Sequence, residues 1–299
     1  MIARFVSIFN HHPIKCLLLL VWISLLFITN SIQAVPEYGA FTLLGVVGAI
    51  FANATGAGGG VVFVPFFNQL SLSNEIIVAT SFGIQCCGMT AGAISWFRHY
   101  RGLQGKAEAL EWQSLPKALL YSVPLSVAGI LSAQFLLGAY TEKVQAGLHF
   151  YFGLFSIVLA MCIYASIPLL KRQTKGFQLL PIDLVAIVLI AYGGGIVTAW
   201  LSVGVGELIA VYFILRGFNI SFAIAVAVIL SALSVWSAVI YHVFISQAVY
   251  WQIVIFAGAG AITGGLIAKH VVLFFSPIKL KIFFATWVLV MGLAGLPIW

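Results

Sequence analysis

The sequence predicts an all-α, polytopic integral membrane protein made of two inverted repeats. Each repeat is expected to hold one re-entrant broken-helix hairpin followed by three transmembrane helices. Three observations carry that expectation: a scarcity of charge, a series of apolar runs of bilayer-spanning length, and two glycine-rich interruptions inside long apolar segments.

Of the 299 residues, 63% are hydrophobic and only 7% are charged, against about 25% charged in a soluble domain. That composition excludes a cytosolic enzyme, a disordered chain and an ordinary nucleic-acid-binding domain. It implies lipid, and not nucleic acid, as the surrounding partner. The cysteines Cys16, Cys86, Cys87 and Cys162 lie in apolar runs without paired C-x-x-C motifs. Neither a zinc site nor a disulfide framework is indicated, and no cofactor is implied.

About 20 apolar residues in a helix cross the hydrocarbon core. The charge-free runs are 16–36, 38–74, 76–97, 118–141, 144–170, 184–206, 217–268 and 282–299. The first segment has two readings. Arg4 and Lys15 before an apolar stretch, with Ser31-Ile32-Gln33-Ala34 after it, resemble a signal peptide with a small-residue cleavage site; the alternative is a retained helix. Residues 1–37 therefore stand apart from a first repeat, 38–170, a cytoplasmic linker, 171–181, and a second repeat, 182–299.

Run 38–74 is too long for one span and is interrupted by Gly56-Ala57-Gly58-Gly59-Gly60, then Pro65. Segment 184–215 is interrupted by Gly204-Val205-Gly206. Glycine runs do not sustain a helix, so each segment reads as two half-helices meeting at membrane depth, where irregular backbone needs shelter from lipid. Run 217–268 holds two spans with a turn near Ser246-Gln247.

Positive charge decides how the broken segments run, since cytoplasmic loops collect Lys and Arg. If each broken segment crosses once, the 14 positive residues split evenly between the two sides. If each dips in and returns, all of them lie inside except Lys143, and the C-terminus lies outside. The hairpins then span 40–70 and 182–215. Spans 76–97, 117–138 and 144–168 follow the first, and 219–243, 250–269 and 281–297 follow the second. The offset between Gly56 and Gly204 nearly equals that between Asn74 and Asn219, which open the next spans. Such inverted repeats characterise secondary transporters, with sites where broken helices meet near the midplane.

The glycine break exposes backbone N–H groups at the start of a half-helix, a natural anion site because the donors are unpaired and the dipole is positive there. Close helix packing is the other explanation for such glycines. Gly59 is expected at a positive φ that a β-branched residue would not tolerate. Asn53 and Thr55 stand beside the break as donors or as helix caps. Glu207, the only carboxylate expected at membrane depth, is read as a proton-coupling group, as a structural acceptor, or as a partner of Arg216. Thr80, Ser81, Gln85, Ser231, Ser234 and His242 supply polar groups from the spans that follow each break. Ser81 and Gln85 share a helix face, and His242, near a span end, is expected at the membrane interface, the other reading being a proton relay.

Gly-Ala-Gly-Gly-Gly-x4-Pro over residues 56–65, Ala79-Thr80-Ser81 on the next helix, and the doubled hairpin-plus-three-spans unit resemble the sulfite exporter TauE/SafE family across roughly residues 38–297. The second repeat departs from the pattern. Gly204-Val205-Gly206 continues as Glu207-Leu208, Phe213 stands in place of a proline, and Ala225-Val226 stands in place of Thr80-Ser81. The resemblance implies a multi-pass transporter, in a bacterial-type inner (cell) membrane, for small sulfur-containing anions such as sulfite or sulfonates. Taken with the reading of the breaks, substrate contacts are expected from Asn53, Thr55, Gly56, Gly58, Gly59, Gly60, Thr80, Ser81, Gln85, Gly204 and Gly206, with Glu207 expected to carry a coupling proton. Two alternatives remain at this point, an intramembrane enzyme and a non-transporting assembly factor. The chain shows no H-E-x-x-H, no G-x-S-x-G and no pair of intramembrane aspartates to support the first.

Overall fold

The computed structural model describes residues 13–29, 31–168, 178–294 and 296. Most of the linker 171–181, with Lys171, Arg172 and Lys175, and the N-terminal Arg4 lie outside the described residues. The described chain is helical: α1 (Pro13–Ile28), α2 (Phe41–Thr55), α3 (Gly60–Asn68), α4 (Asn74–Leu103), α5 (Leu115–Leu131), α6 (Leu148–Ser166), α7 (Pro181–Leu201), α8 (Val205–Leu215), α9 (Ile220–Phe244), α10 (Trp251–Phe274) and α11 (Pro277–Ala294). A single helical turn, Val35–Tyr38, leads into α2. After α5 the chain passes through a π-helical stretch, Ser132–Leu136, and a separate helix, Gly138–Ala146.

Seven helices among the described residues are long and apolar enough to cross a membrane. They differ in membership from the seven full spans expected. Val35–Thr55 and Pro181–Leu201 qualify, whereas α1 has 16 residues and the described part of the last span is the shorter apolar helix Lys281–Ala294. The two broken segments therefore have unequal arms. The first pairs a helix of 15 residues with one of 9, and the second pairs 21 with 11. Both breaks fall where the glycines stand, between Thr55 and Gly60 and between Leu201 and Val205.

Each broken segment folds back on itself. Phe41, opening α2, packs against Phe66 and Phe67 at the end of α3, with ring centroids 6.0 and 6.1 Å apart. In the second segment Asp183, in the first turn of α7, is paired with Arg216 immediately after α8. Nε and Nη2 of Arg216 each donate to one carboxylate oxygen, the second at 3.1 Å, and the Tyr212 hydroxyl also donates to Asp183. Arg216 thus partners Asp183 rather than Glu207, because the fold-back brings the ends of the hairpin together while Glu207 sits at its tip.

The long helices α4 and α9 are the most buried of the candidate spans. Ser73 caps α4 through the Ile76 N–H and Asn219 caps α9 through the Ser221 N–H, so two short polar side chains stop each preceding turn and start a central helix. Around them α2 packs on α10, α7 on α5, and α6 on α11. These pairings approach closely because small residues face backbone. A Cβ at Gly45 would lie 1.9 Å from the Ala257 carbonyl oxygen, and one at Gly129 would lie 2.1 Å from that of Tyr192. Helices that gain no hydrophobic drive from lipid associate through such dispersion-rich contacts. The N-terminal α1 lies on α10, where the Trp22 indole donates to the Ile255 carbonyl at 3.0 Å.

Candidate functional site

The two helix breaks cross each other in the interior. At the first, Gly56 ends α2 in the left-handed region, φ 78°. At the second, Ser202 takes φ 61° and Gly204 φ 149°. Gly59, expected at positive φ, has φ −60°. Its intolerance of a side chain comes from space instead, since a Cβ there would lie 2.7 Å from the Phe63 ring and 2.8 Å from Gln85 Cγ. Where the breaks touch, no side chain fits. A Cβ at Gly60 would lie 2.3 Å from the Ser202 carbonyl oxygen, and one at Gly206 would lie 2.4 Å from that of Gly56.

Broken helices leave N–H groups without helical partners, and here side chains take them. The Gly58 N–H donates to Glu207 Oε1 at 2.7 Å and the Gly59 N–H to Gln85 Oε1 at 2.8 Å. At the second break the Gly204 N–H donates to Glu207 Oε2 at 2.8 Å, and the Val205 N–H to Thr198 Oγ1 at 2.8 Å. Glu207 is the third residue of α8, so its bond to Gly204 is half of a capping box. Its other oxygen reaches across to the first break.

Gln85 mirrors that behaviour from α4. While its oxygen accepts from Gly59, its Nε2 donates to Ser202 Oγ at 2.8 Å, to the Ser202 carbonyl at 3.2 Å and to Ser81 Oγ at 3.1 Å. Ser202 Oγ donates in turn to Ser81 Oγ at 3.0 Å. Glu207, Gln85, Ser81 and Ser202 are all buried. The fold therefore gathers Gly58, Gly59, Gly60, Ser81, Gln85 and Glu207 with Ser202, and brings Gly56 against Gly206. Thr55 stays at the edge, accepting from the Ala57 N–H at 3.2 Å and donating to the Phe51 carbonyl at 2.7 Å.

Other candidates are occupied elsewhere. Asn53 Nδ2 donates to the Ala49 carbonyl at 2.8 Å and to that of Gly88 on α4 at 3.3 Å. Its Oδ1 is buried without a partner against Gly92, where a Cβ would lie 1.8 Å away. Thr80 Oγ1 accepts from the Tyr250 N–H at 3.0 Å and so ties α4 to the start of α10. Ser231 Oγ lies against Gly206, whereas Ser234 bonds Ser126 Oγ at 2.7 Å. His242 lies two residues from the end of α9. It is 3% exposed and stacked on Phe82, with ring centroids 5.4 Å apart, on the inward face of that helix. Ser202 and Thr198 escaped the sequence reading. The available signal was a hydroxyl residue directly bordering, or one turn before, a glycine break.

Crossed helix breaks lined by backbone N–H groups and amide or carboxylate side chains, inside a bundle of bilayer-length apolar helices, define a multi-pass membrane transporter. Comparison with known proteins agrees: the family description Sulfite exporter TauE/SafE matches residues 41–295. The chain belongs to that family, a family of transporters and not of enzymes. No curated protein and no solved structure matches it.

Proposed function

We propose that this chain is a secondary transporter that moves a small sulfur-containing anion, such as sulfite or an organosulfonate, by alternating access. The observation that carries the reading is the crossing of the two breaks, where the Gly58 and Gly59 N–H groups at the start of α3 are aimed at acceptors. Such N–H groups at a helix start favour negative charge. Gly60 adds close backbone approach, while Ser81, Gln85 and the Gly204–Gly206 backbone form the opposite wall. Asn53, Thr55 and Thr80 act around this centre by holding α2 and α4 in place.

The inverted repeat belongs to this proposal. Exchanging α2 to α6 for α7 to α11, element by element, maps the principal packing pairs onto one another. The α2–α10 pair becomes α7–α5, α3–α4 becomes α8–α9, and α4–α9 and α6–α11 become themselves. Alternating access then follows from rocking one repeat against the other around the breaks. The expected setting is a bacterial-type inner membrane with the C-terminus outside.

The reading is tested by flux. Purified protein in proteoliposomes should move sulfite or methanesulfonate above the rate of empty vesicles. Absence of flux for both would leave a non-transporting assembly role. Glu207 is proposed to carry the coupling proton, donating a hydrogen bond to the anion when protonated and releasing the anion with the proton. Glu207→Gln keeps shape and a donor but exchanges no proton. It should retain anion-for-anion exchange and lose accumulation driven by a pH gradient. Equal pH-driven accumulation by variant and parent would reduce Glu207 to a structural acceptor.

A further inference from the structure

We propose that Glu207 and Gln85 form a reciprocal latch that locks the two helix breaks together, and that anion binding and unlatching are one event. The proposal rests on the transport reading for its second half only. Each latch residue holds the break of its own half of the chain and that of the other. Glu207, on α8, takes one N–H from each break, Gly58 and Gly204. Gln85, on α4 after the first break, accepts from Gly59 and donates to both oxygens of Ser202. The breaks themselves meet through backbone at Gly60–Ser202 and Gly56–Gly206, where any Cβ would collide. They gain little from side-chain interdigitation at those points, so the four arms of the two side chains hold the crossing shut.

The latch also decides when the site is open. The N–H groups that an anion would use, Gly58 and Gly59, are both taken by latch oxygens at 2.7 and 2.8 Å. An anion reaches them only by displacing Glu207 and Gln85. Losing those two acceptors releases Gly204 and Ser202 at the same time, because the same side chains hold them. A loaded site is therefore an unlatched crossing, and an empty site relatches. Substrate would in this way drive separation of the breaks rather than merely fill a preformed cavity.

Labelling of Val203, which is 1% exposed and sits in the chain between Ser202 and Gly204, the two residues the latch holds, tests the proposal. The full-length chain carries Val203→Cys as its only cysteine, with Cys16, Cys86, Cys87 and Cys162 replaced, and is reacted with a small methanethiosulfonate. Glu207→Gln and Gln85→Ala each remove part of the latch and should speed labelling about tenfold, the effect of one buried hydrogen-bond set left incomplete. Gln134→Ala, which removes a bond from Gln134 Nε2 to the Ala238 carbonyl away from the breaks, should not. Unchanged rates in both latch variants, or an equal rise with Gln134→Ala, would overturn the latch. In a chain that carries methanesulfonate in the flux assay, saturating methanesulfonate should raise labelling of the otherwise unaltered protein toward the variant rate. No rise there would overturn the link between binding and unlatching. Faster labelling in the latch variants without any flux would keep the latch and remove the transport reading.

Discussion

At the scale of single residues, the crossing depends on what is missing from Gly56, Gly60 and Gly206 more than on what is present. A Cβ on Gly206 would meet Ser231 Oγ at 2.3 Å and the Gly56 carbonyl at 2.4 Å. One of these is backbone and cannot rotate away. Gly206→Ala is therefore expected to destabilise the protein by about 1–3 kcal/mol, the usual range for overpacking, and to depress flux with membrane insertion intact. Gly193→Ala is the matched comparison, since nothing lies within 4 Å of a Cβ there. It replaces a glycine inside α7 by a better helix former, worth up to about 1 kcal/mol. Thermal unfolding in detergent should show a lower midpoint for the first and an equal or higher one for the second; equal drops in both would mean that glycine flexibility, not close approach, matters at the crossing. The glycines, Ser81, Gln85 and Glu207 were legible in the sequence because each interrupts an apolar run. The turning away of Asn53 and Thr80 was not, since helix rotation is set by partners such as Gly88 and Tyr250 that are distant in the chain.

At the scale of elements, the fold-back of α7 and α8 is fastened at its open end. Asp183 is fully buried while Arg216 is 39% exposed, so the two partners contribute unequally. Removing the arginine strands a buried carboxylate, whereas removing both charges strands only two neutral donors, the Tyr212 hydroxyl and the Leu180 N–H. Arg216→Leu is expected to cost about 2–4 kcal/mol, the lower part reflecting solvent access to the guanidinium. The double variant Asp183→Leu with Arg216→Leu should recover more than half of that loss. Unfolding midpoints of the two single variants and the double, read as a cycle, check this; simple additivity would show that the pair does not fasten the hairpin. Sequence reasoning located the breaks and the hairpin limits, because glycine runs and caps such as Asn219 are local signals. It carried no information on the lengths of the arms, and of the three readings of Glu207 the structure excludes the pairing with Arg216. Helix length beyond a break follows from packing on α5 and α10, and no local pattern encodes that.

At the scale of the whole molecule, charge argues for one seating of the chain in its membrane, and the packing pattern fits that seating as an inverted pair. Folding both broken segments back to their own side puts every Lys and Arg except Lys143 on one face of the membrane, the face that the positive-inside rule assigns to the cytoplasm. The exchange of α2 to α6 with α7 to α11 that maps helix pairs onto each other needs each repeat to contain an odd number of crossings if the copies are to be inverted. A returning hairpin plus three spans meets that condition; a single pass through the break plus three spans does not, and would give parallel copies. Charge and packing thus make one prediction about two exposed loop positions. Gln104 follows α4, and Gln247 lies between α9 and α10. Under the hairpin topology the first is cytoplasmic and the second outside. Single cysteines at these positions, in intact cells treated with a membrane-impermeant maleimide, should label at Gln247→Cys at once and at Gln104→Cys only after permeabilisation. A chain that crosses once at each break would return Gln104 to the same side as the start of α2, and each extra crossing would shift the later loops by one side. Labelling of Gln104→Cys in intact cells would therefore remove the hairpins, and with them the inverted pairing on which alternating access around the crossed breaks depends.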